Sequence, residues 1–403
     1  MMSKSEWGGP LAGLRVLDFT RVLAGPAASL ALADLGAEVI KVEPPGAGDD
    51  TRTFPPHREG ESHYFIAINR GKKSIVIDLK TDAGRRLVEE LVQKSDIIIE
   101  NFRPGVMDKL GLSYAHLSGI NSGLIYCSIS GYGMTGPLKD RPSFDIISQA
   151  LSGVLSVNGE NGRSPVKLGL PMGDLVGGIT GPIAILGALH ERHATGKGRH
   201  IDISLLDGLI GQLGYIAQLA FFNGDDPLPQ GNQHPNLVPY GSFPARDGEI
   251  MIACLTNAFW ARICRALELE EFIEDERFGS TEARRRNREA VNQLISQKTQ
   301  TKDLSELADR LTEFEVPNAP VLSVSQALAQ PQVQAREMVV EVEHATLGTI
   351  PIVNRPYRFV GENPPPPSAP PVLNEHCREI LGEILGYDDD AIKELKNKGV
   401  IGG

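Results

Sequence analysis

Apolar and polar positions alternate in two rhythms over the first 135 residues. Leu14–Phe19 is a short apolar run that predicts a strand, and Pro26–Leu35 is an alanine-rich helical pattern opened by proline, which suits a first helical turn. Glu38–Glu43 predicts a second strand and Ser74–Leu79 a third, alternating one. Thr81–Lys94 is amphipathic with helical spacing, and the strands Asp96–Ile99 and Leu124–Ser128 follow. Strand and helix in alternation predict a parallel, doubly wound sheet. In such sheets ligands bind beyond the carboxyl ends of the strands, at the point where strand order reverses. The loops Thr20–Gly25, Pro44–Arg52 and Glu100–Gly105 are therefore the first places to look for a site. Neither GxGxxG after the first strand nor GxxxxGK[ST] is present, which argues against a dinucleotide fold and a P-loop.

Further on, an apolar helix is expected from Leu175 to about Ala194, a strand at Arg199–Leu205, and one long apolar helix at Leu209–Phe222. Asn223–Pro239 is rich in Pro, Gly and Asn and reads as a boundary. Residues 225–325 then predict a smaller α+β unit, with a strand at Ile250–Cys254 and helices at Ala258–Leu267, Thr281–Lys298 and Leu304–Phe314. Val316–Val321 is a stiff connector, and Met338–Val342 and Ile350–Ile352 read as strands. The proline run Pro364–Pro371 should be an extended arm, with a last helical region from Glu375. The expected division is a large domain over 1–224, the small unit over 225–325, and a return linker with the rest of the large domain over 326–403.

A net charge of −11 argues against nucleic acid and anionic membranes as partners, so an anionic ligand would need a local basic patch. Cys127, Cys254, Cys264 and Cys377 lack metal-type spacing, and no metal site is expected. The first residues, Met-Met-Ser-Lys-Ser-Glu-Trp, hold no apolar leader, and Leu175–Leu189 is too short and glycine-rich to read as a membrane span. A cytoplasmic setting is the expectation.

Within this otherwise ordinary composition, Asp174 stands out as the only carboxylate between Glu160 and Glu191, in a run of glycines and apolar residues. Two compatible readings follow. Asp174 caps the helix that begins at Leu175, with Gly196 closing its far end. A carboxylate with few competing partners, flanked by residues without Cβ atoms, is also a candidate nucleophile.

An ordered set of strings extends the picture. Pro10–Asp18, Ala24-Gly25-Pro26, Leu35–Glu43, Asn69–Ser74, Glu100–Gly105, Gly131-Tyr132-Gly133, Met172-Gly173-Asp174, Asp275–Phe278, Ala319–Val321 and Pro331–Val333 with Ala335-Arg336 together resemble the class III CoA-transferases. The resemblance implies an α/β fold with a Rossmann-like large domain, a smaller α+β domain and an interlocked-ring homodimer. It implies that Asp174 attacks an acyl-CoA thioester and relays acyl group and CoA through anhydride and aspartyl-CoA intermediates, with glycines leaving room and offering N–H donors. CoA is then substrate and product, and no permanent cofactor is needed. Asn101, Phe102 and Lys109 match the family's CoA-binding positions, and Arg70, Lys72, Lys73 and Arg103 are nearby cations suited to its phosphates. Tyr132 matches a position facing the acyl group.

Departures from the pattern narrow the substrate. Formyl-CoA transferase has His and Gln where this chain has Arg21 and Leu23, and its glycine-rich flap is replaced by His234–Tyr240. Oxalate and formyl-CoA are therefore not the expected pair. The loops containing Arg21 and Arg52 resemble the succinyl-CoA:dicarboxylate branch, where either arginine would pair with a distal carboxylate or else serve a structural ion pair. CoA migration within one diacid stays open. An α-methylacyl-CoA racemase, which shares the fold, needs a histidine where this chain has Phe144 in Ser143-Phe144-Asp145.

Overall fold

The computed structural model describes residues 8–402; segment 1–7, read above for a leader, lies outside them. Two compact units emerge. One comprises the described residues up to Val154, Lys167–Gly224 and everything from Gln332; the other comprises Leu155–Val166 and Asp225–Pro331.

The first unit is built on six strands: β1 (Arg15–Asp18), β2 (Glu38–Glu43), β3 (Lys72–Val76), β4 (Ile97–Glu100), β5 (Ile125–Ser130) and β6 (Arg199–Ser204). All pair in parallel, in the order β3-β2-β1-β4-β5-β6. The order reverses between β1 and β4, so their carboxyl ends form the switch point. Both sheet faces are covered, which explains the continuous β-branched runs in the sequence. Leu17, Ile40 and Ile98 point into one core with the amphipathic helix Asp82–Val92 and the C-terminal Ile380, Val400 and Ile401. Val16, Val39, Ile97 and Ile99 point into the other core, with helix α1 (Ala24–Asp34).

Helix α2 (Asp145–Leu151) precedes the longest helix, α3 (Met172–Thr195), whose 24 residues exceed the expected span. By length and composition α3 would suffice to cross a bilayer. Its glycines give it another role. A Cβ on Gly178 would lie 2.8 Å from the Ala27 Cβ, and one on Gly177 would lie 2.6 Å from a Leu205 methyl. Gly181 faces Ile129, Ala28 and Cys127. These positions let α3 lie directly on α1 and β5 as a core helix.

Three expectations are corrected. Asp174 is not the cap of its helix: α3 begins at Met172, Pro171 occupies the cap position, and Asp174 lies inside the first turn. The closing Gly196 does adopt the left-handed conformation, at φ 68°. The single helix over Leu209–Phe222 is two, α4 (Leu205–Gln212) and α5 (Tyr215–Asn223), bent by 71° where Gly214 takes φ 50°, ψ −120°. That conformation is open to glycine and to few other residues. The helix over Thr281–Lys298 likewise breaks at Asn287 into Thr281–Arg286 and Arg288–Thr299.

The second unit carries an antiparallel sheet of β7 (Tyr240–Ala245), β8 (Gly248–Ala253) and β9 (Asn318–Pro320), with β8 central. Strand β7 escapes sequence reading because Gly241 and Pro244 interrupt its pattern. Trp260, Phe243, Ile250 and Leu307 form its core. Arg284 is wholly buried there and donates to the Val238 and Phe278 carbonyls and to Asn257.

The packing of α3 makes a direct prediction. Gly178→Ala should lower unfolding free energy by about 1–3 kcal/mol, because the added methyl meets a Cβ that cannot rotate away. Gly187→Ala, on the open side of α3, should instead be neutral or stabilise by up to about 1 kcal/mol. Denaturant unfolding of both variants checks the contrast.

Candidate active site

The loop after β1 is pinned from below by buried charge. Asp18 is fully buried and accepts hydrogen bonds from the Thr20 amide and hydroxyl, the Ser29 hydroxyl and the Lys72 ammonium. Burial alone would raise its pKa, but Lys72 and Lys41 outweigh that and hold it at about 2. Lys41 donates to the Thr20 carbonyl at 2.8 Å and pairs with Asp49, also at 2.8 Å. Asp49 in turn accepts from the Val22 amide at 3.3 Å. Val22 is held at φ 65°, a strained conformation for a β-branched residue. Gly25 is obligatory here, since a Cβ would lie 2.3 Å from the Thr20 side chain.

At the same edge, Asn101 follows β4. Its side chain clamps Arg21 by accepting from the Arg21 amide and donating to the Arg21 carbonyl, both at 2.8 Å. The Arg21 guanidinium lies 5.4 Å from the centre of the Phe102 ring. Arg21 makes no ion pair among the described residues. The sequence-derived trio Arg21, Asn101 and Phe102 therefore meets at the switch point. Phe102 and the exposed Arg103 also line a cavity of about 40 Å3 with Glu100, Met134 and His200. Burial pushes Glu100 up to about 7, against the favourable bonds from Ser128 and the Phe102 amide.

Asp174 reaches this edge through α3. Gly177 and Gly178 pack on Ala24 and Ala27, the first turn of α1. Asp174 lies one turn earlier, N-terminal to the glycines that pack on the start of α1. It is half-buried. Burial, with the Asp145 carboxylate as second cause, pushes it up to about 7. Its isolation in sequence is thus not isolation in space. Asp145, the first residue of α2, accepts from the Gly173 amide at 2.7 Å and from the Asp174 amide at 3.4 Å. Asp145 does for α3 what Asp174 was expected to do. The N–H of Gly173 is consequently engaged with Asp145, and Gly177 and Gly178 serve helix packing. The expectation that these glycines open space for a ligand is corrected accordingly.

Other expected site residues are committed elsewhere. Arg70 is buried and pairs with Asp34 at the end of α1. Lys72 is buried against Asp18, and Lys73 pairs with Glu38 and Glu379. These three are structural ion pairs rather than a phosphate patch; sequence could not tell, because their partners lie far along the chain. Arg52 makes a bidentate pair with the buried Glu43 (2.8 and 2.9 Å) and stacks 3.5 Å from the Phe65 ring centre. Leu23 is buried at the start of α1, Tyr132 is buried in the turn after β5, and Lys109 is exposed at the end of the short helix Val106–Lys109. Phe144 is 72% exposed and brings no imidazole to Asp174.

Sequence reasoning missed Tyr64, on the helix His63–Ile68. Burial, then the charges of Asp174, Asp145 and Asp49, raise its hydroxyl's pKa, which puts it among these carboxylates. No local signal marks it. Asp145 was visible only as the neighbour of Phe144.

Residues 11–377 match the family described as CoA-transferase family III. The chain belongs to that family. It is a class III CoA-transferase. Among curated relatives, a succinyl-CoA:glutarate CoA-transferase of Homo sapiens is 38% identical over 97% of this chain and 90% of its own length. An acetyl-CoA:oxalate CoA-transferase of Acetobacter aceti is 40% identical over 83% of this chain and 86% of its own. Among solved structures, a CAIB/BAIF family protein from Brucella suis superimposes with a TM-score of 0.85 and 40% identity, covering 93% of this chain and 99% of that one.

Arg52 supplies the prediction from this geometry. Arg52→Met leaves Glu43 buried without its bidentate partner and should destabilise this CoA-transferase by about 3 kcal/mol or more. Denaturant unfolding measures it, and an unchanged midpoint would contradict the structural assignment.

Proposed function

We propose that this CoA-transferase moves CoA from succinyl-CoA to a dicarboxylic acid, with Asp174 as the covalent relay. The observation that carries the reading is the half-buried Asp174 carboxyl in the first turn of α3, one turn before the glycines that pack on the start of α1. An Asp174 oxygen attacks the thioester carbonyl carbon. The C–S bond breaks, the electron pair leaves with sulfur, and a mixed anhydride remains. The thiolate then attacks the Asp174 carbonyl carbon, giving an aspartyl-CoA thioester and releasing the donor's carboxylate. The acceptor carboxylate attacks that thioester, again expelling thiolate. The thiolate attacks the acceptor's acyl carbon and frees Asp174. Each step exchanges one anion for another, so no metal or added proton enters the balance.

Arg21 is the proposed reader of the distal carboxylate. It is clamped at its backbone by Asn101, stacked near Phe102 and free of carboxylate partners among the described residues. Arg52 is set aside for this role because Glu43 occupies both edges of its guanidinium. The cavity at Phe102 and Arg103, with exposed Lys109 nearby in sequence, supports a CoA subsite. Names of relatives at similar identity include both glutarate and oxalate as acceptors, so the diacid is chosen by experiment. A homodimer is part of the proposal. Ile179 and Ile183 on α3 and Ile146 and Ile147 on α2 are exposed apolar side chains that a partner would cover. Free cysteines fit a reducing, cytoplasmic setting.

Incubation with succinyl-CoA should leave a CoA-sized or hydroxylamine-trappable adduct on the peptide containing Asp174, read by mass spectrometry. Asp174→Asn should lose at least about a thousandfold in turnover, and full turnover in that variant would sink the mechanism. With a panel of isotope-labelled free diacids, oxalate included, label in the product CoA ester demonstrates transfer between molecules. Arg21→Met should lower kcat/KM for dicarboxylate acceptors by on the order of tenfold to a hundredfold, with monocarboxylates little affected. Equal loss for both classes would reject Arg21 as the reader.

A further inference from the structure

We propose that Asp145 is a positioning residue whose fixed negative charge presses Asp174 toward its acylated states. The inference rests on the reading of Asp174 as nucleophile and goes beyond it by assigning a role to a second carboxylate.

The geometry is specific. Asp145 is tied to the backbone on which Asp174 is mounted, through the Gly173 amide at 2.7 Å and the Asp174 amide at 3.4 Å. Its other oxygen accepts from Gln149 Nε2 at 2.6 Å, and Gln149 is buried and itself accepts from the Leu168 amide at 3.1 Å. Gly173 is also packed on Asp145: a Cβ there would lie 3.0 Å from the Asp145 oxygen. Asp145 therefore cannot swing away when Asp174 ionises. Amide donors favour its charged form. Asp174, by contrast, accepts no backbone amide among the described residues and lies in a partly desolvated place. The group facing the pair is Tyr64 from the helix His63–Ile68, with Asp49 also close enough to act on Tyr64.

Two like charges held together disfavour the ionised state of the less stabilised one. When an Asp174 oxygen bonds the acyl carbon and sulfur leaves with the electron pair, Asp174 becomes neutral and the repulsion ends. The same holds for the aspartyl-CoA thioester. Asp145 thus raises the free carboxylate relative to both covalent intermediates, and it makes the attacking oxygen more basic and more nucleophilic.

The test compares wild type with Asp145→Asn, which keeps an oxygen for the Gly173 amide and removes the charge. Only ionised Asp174 attacks, so the single-turnover rate of adduct formation rises with pH through its pKa. In wild type the half-rise is expected near pH 7. In Asp145→Asn it should move down by about one unit or more, and the fraction of enzyme carrying the Asp174 adduct, at a fixed ratio of succinyl-CoA to succinate, should fall. Asp145→Ser, neutral and able to accept from the Gly173 amide, should shift in the same direction if the Asn variant folds poorly. Asp145→Glu should return the profile toward wild type. Slower turnover with an unmoved half-rise and unchanged adduct occupancy in both neutral variants would overturn the proposal, leaving Asp145 a purely structural cap. Absence of any adduct in wild type would instead remove the nucleophile reading itself.

Discussion

Buried charge under the first loop is the constraint on which the site depends. Asp18, Lys41 and Lys72 are fully shielded, and Asp49 and Glu43 nearly so. Taking such groups out of water is costly unless every charge is matched and hydrogen-bonded. Here the matching partners are loop atoms. Lys41 holds the Thr20 carbonyl, Asp18 holds the Thr20 amide and hydroxyl, and Asp49 holds the Val22 amide. The loop cannot relax without stranding an ion, which is how Val22 stays at φ 65°. The network rests on β1, β2 and β3, so the rigidity of the parallel sheet passes directly to the backbone of Arg21.

The second determinant is how closely α3 approaches. Gly177, Gly178 and Gly181 remove the side chains that would keep it off α1 and β5. Because both helices begin at the same edge of the sheet, that contact fixes Asp174 at that edge. Asp145 then secures the first turn from outside the helix. Two separate supports, one ionic and one steric, thereby hold the first loop and the first turn of α3 at the same edge of the sheet. Under the proposed mechanism, such support would return the reacting carboxylate to one geometry after each covalent step.

Most of the large sheet was legible because its signal is local. Glu38–Glu43 is β2 without adjustment, and the alternation of strand and helix led to the switch-point loops where Arg21, Asn101 and Phe102 meet. What sequence misread was partnership. Arg70, Lys72 and Lys73 look like a basic patch, yet Asp34, Asp18 and Glu38 neutralise them from 36, 54 and 35 positions away. Asp174 looks solitary for the same reason, although Asp145 is only 29 positions off. The long helix over Leu209–Phe222 failed differently: its apolar pattern continues through Gly214, and only backbone conformation marks the break. Glycines were legible as landmarks but not as causes, since room for a ligand and room for a helix leave the same trace.

This difference bears on recognition. In a chain of net charge −11, cations near the sheet are scarce and strongly drawn to internal carboxylates. Those that remain uncommitted say more about a ligand than those that cluster in sequence. Arg21 is held by its backbone and by an aromatic face, so its position is fixed while its guanidinium edges stay open to an incoming carboxylate. Arg52 has equal reach in sequence and none in structure, because both of its donor edges are spent on Glu43. A site that pins one arginine by neutral contacts and neutralises Arg52 and Lys72 beside it keeps that arginine open to a second negative charge. Under the proposed function, that arrangement would favour acids carrying two carboxylates at a fixed separation, one for Asp174 and one for Arg21.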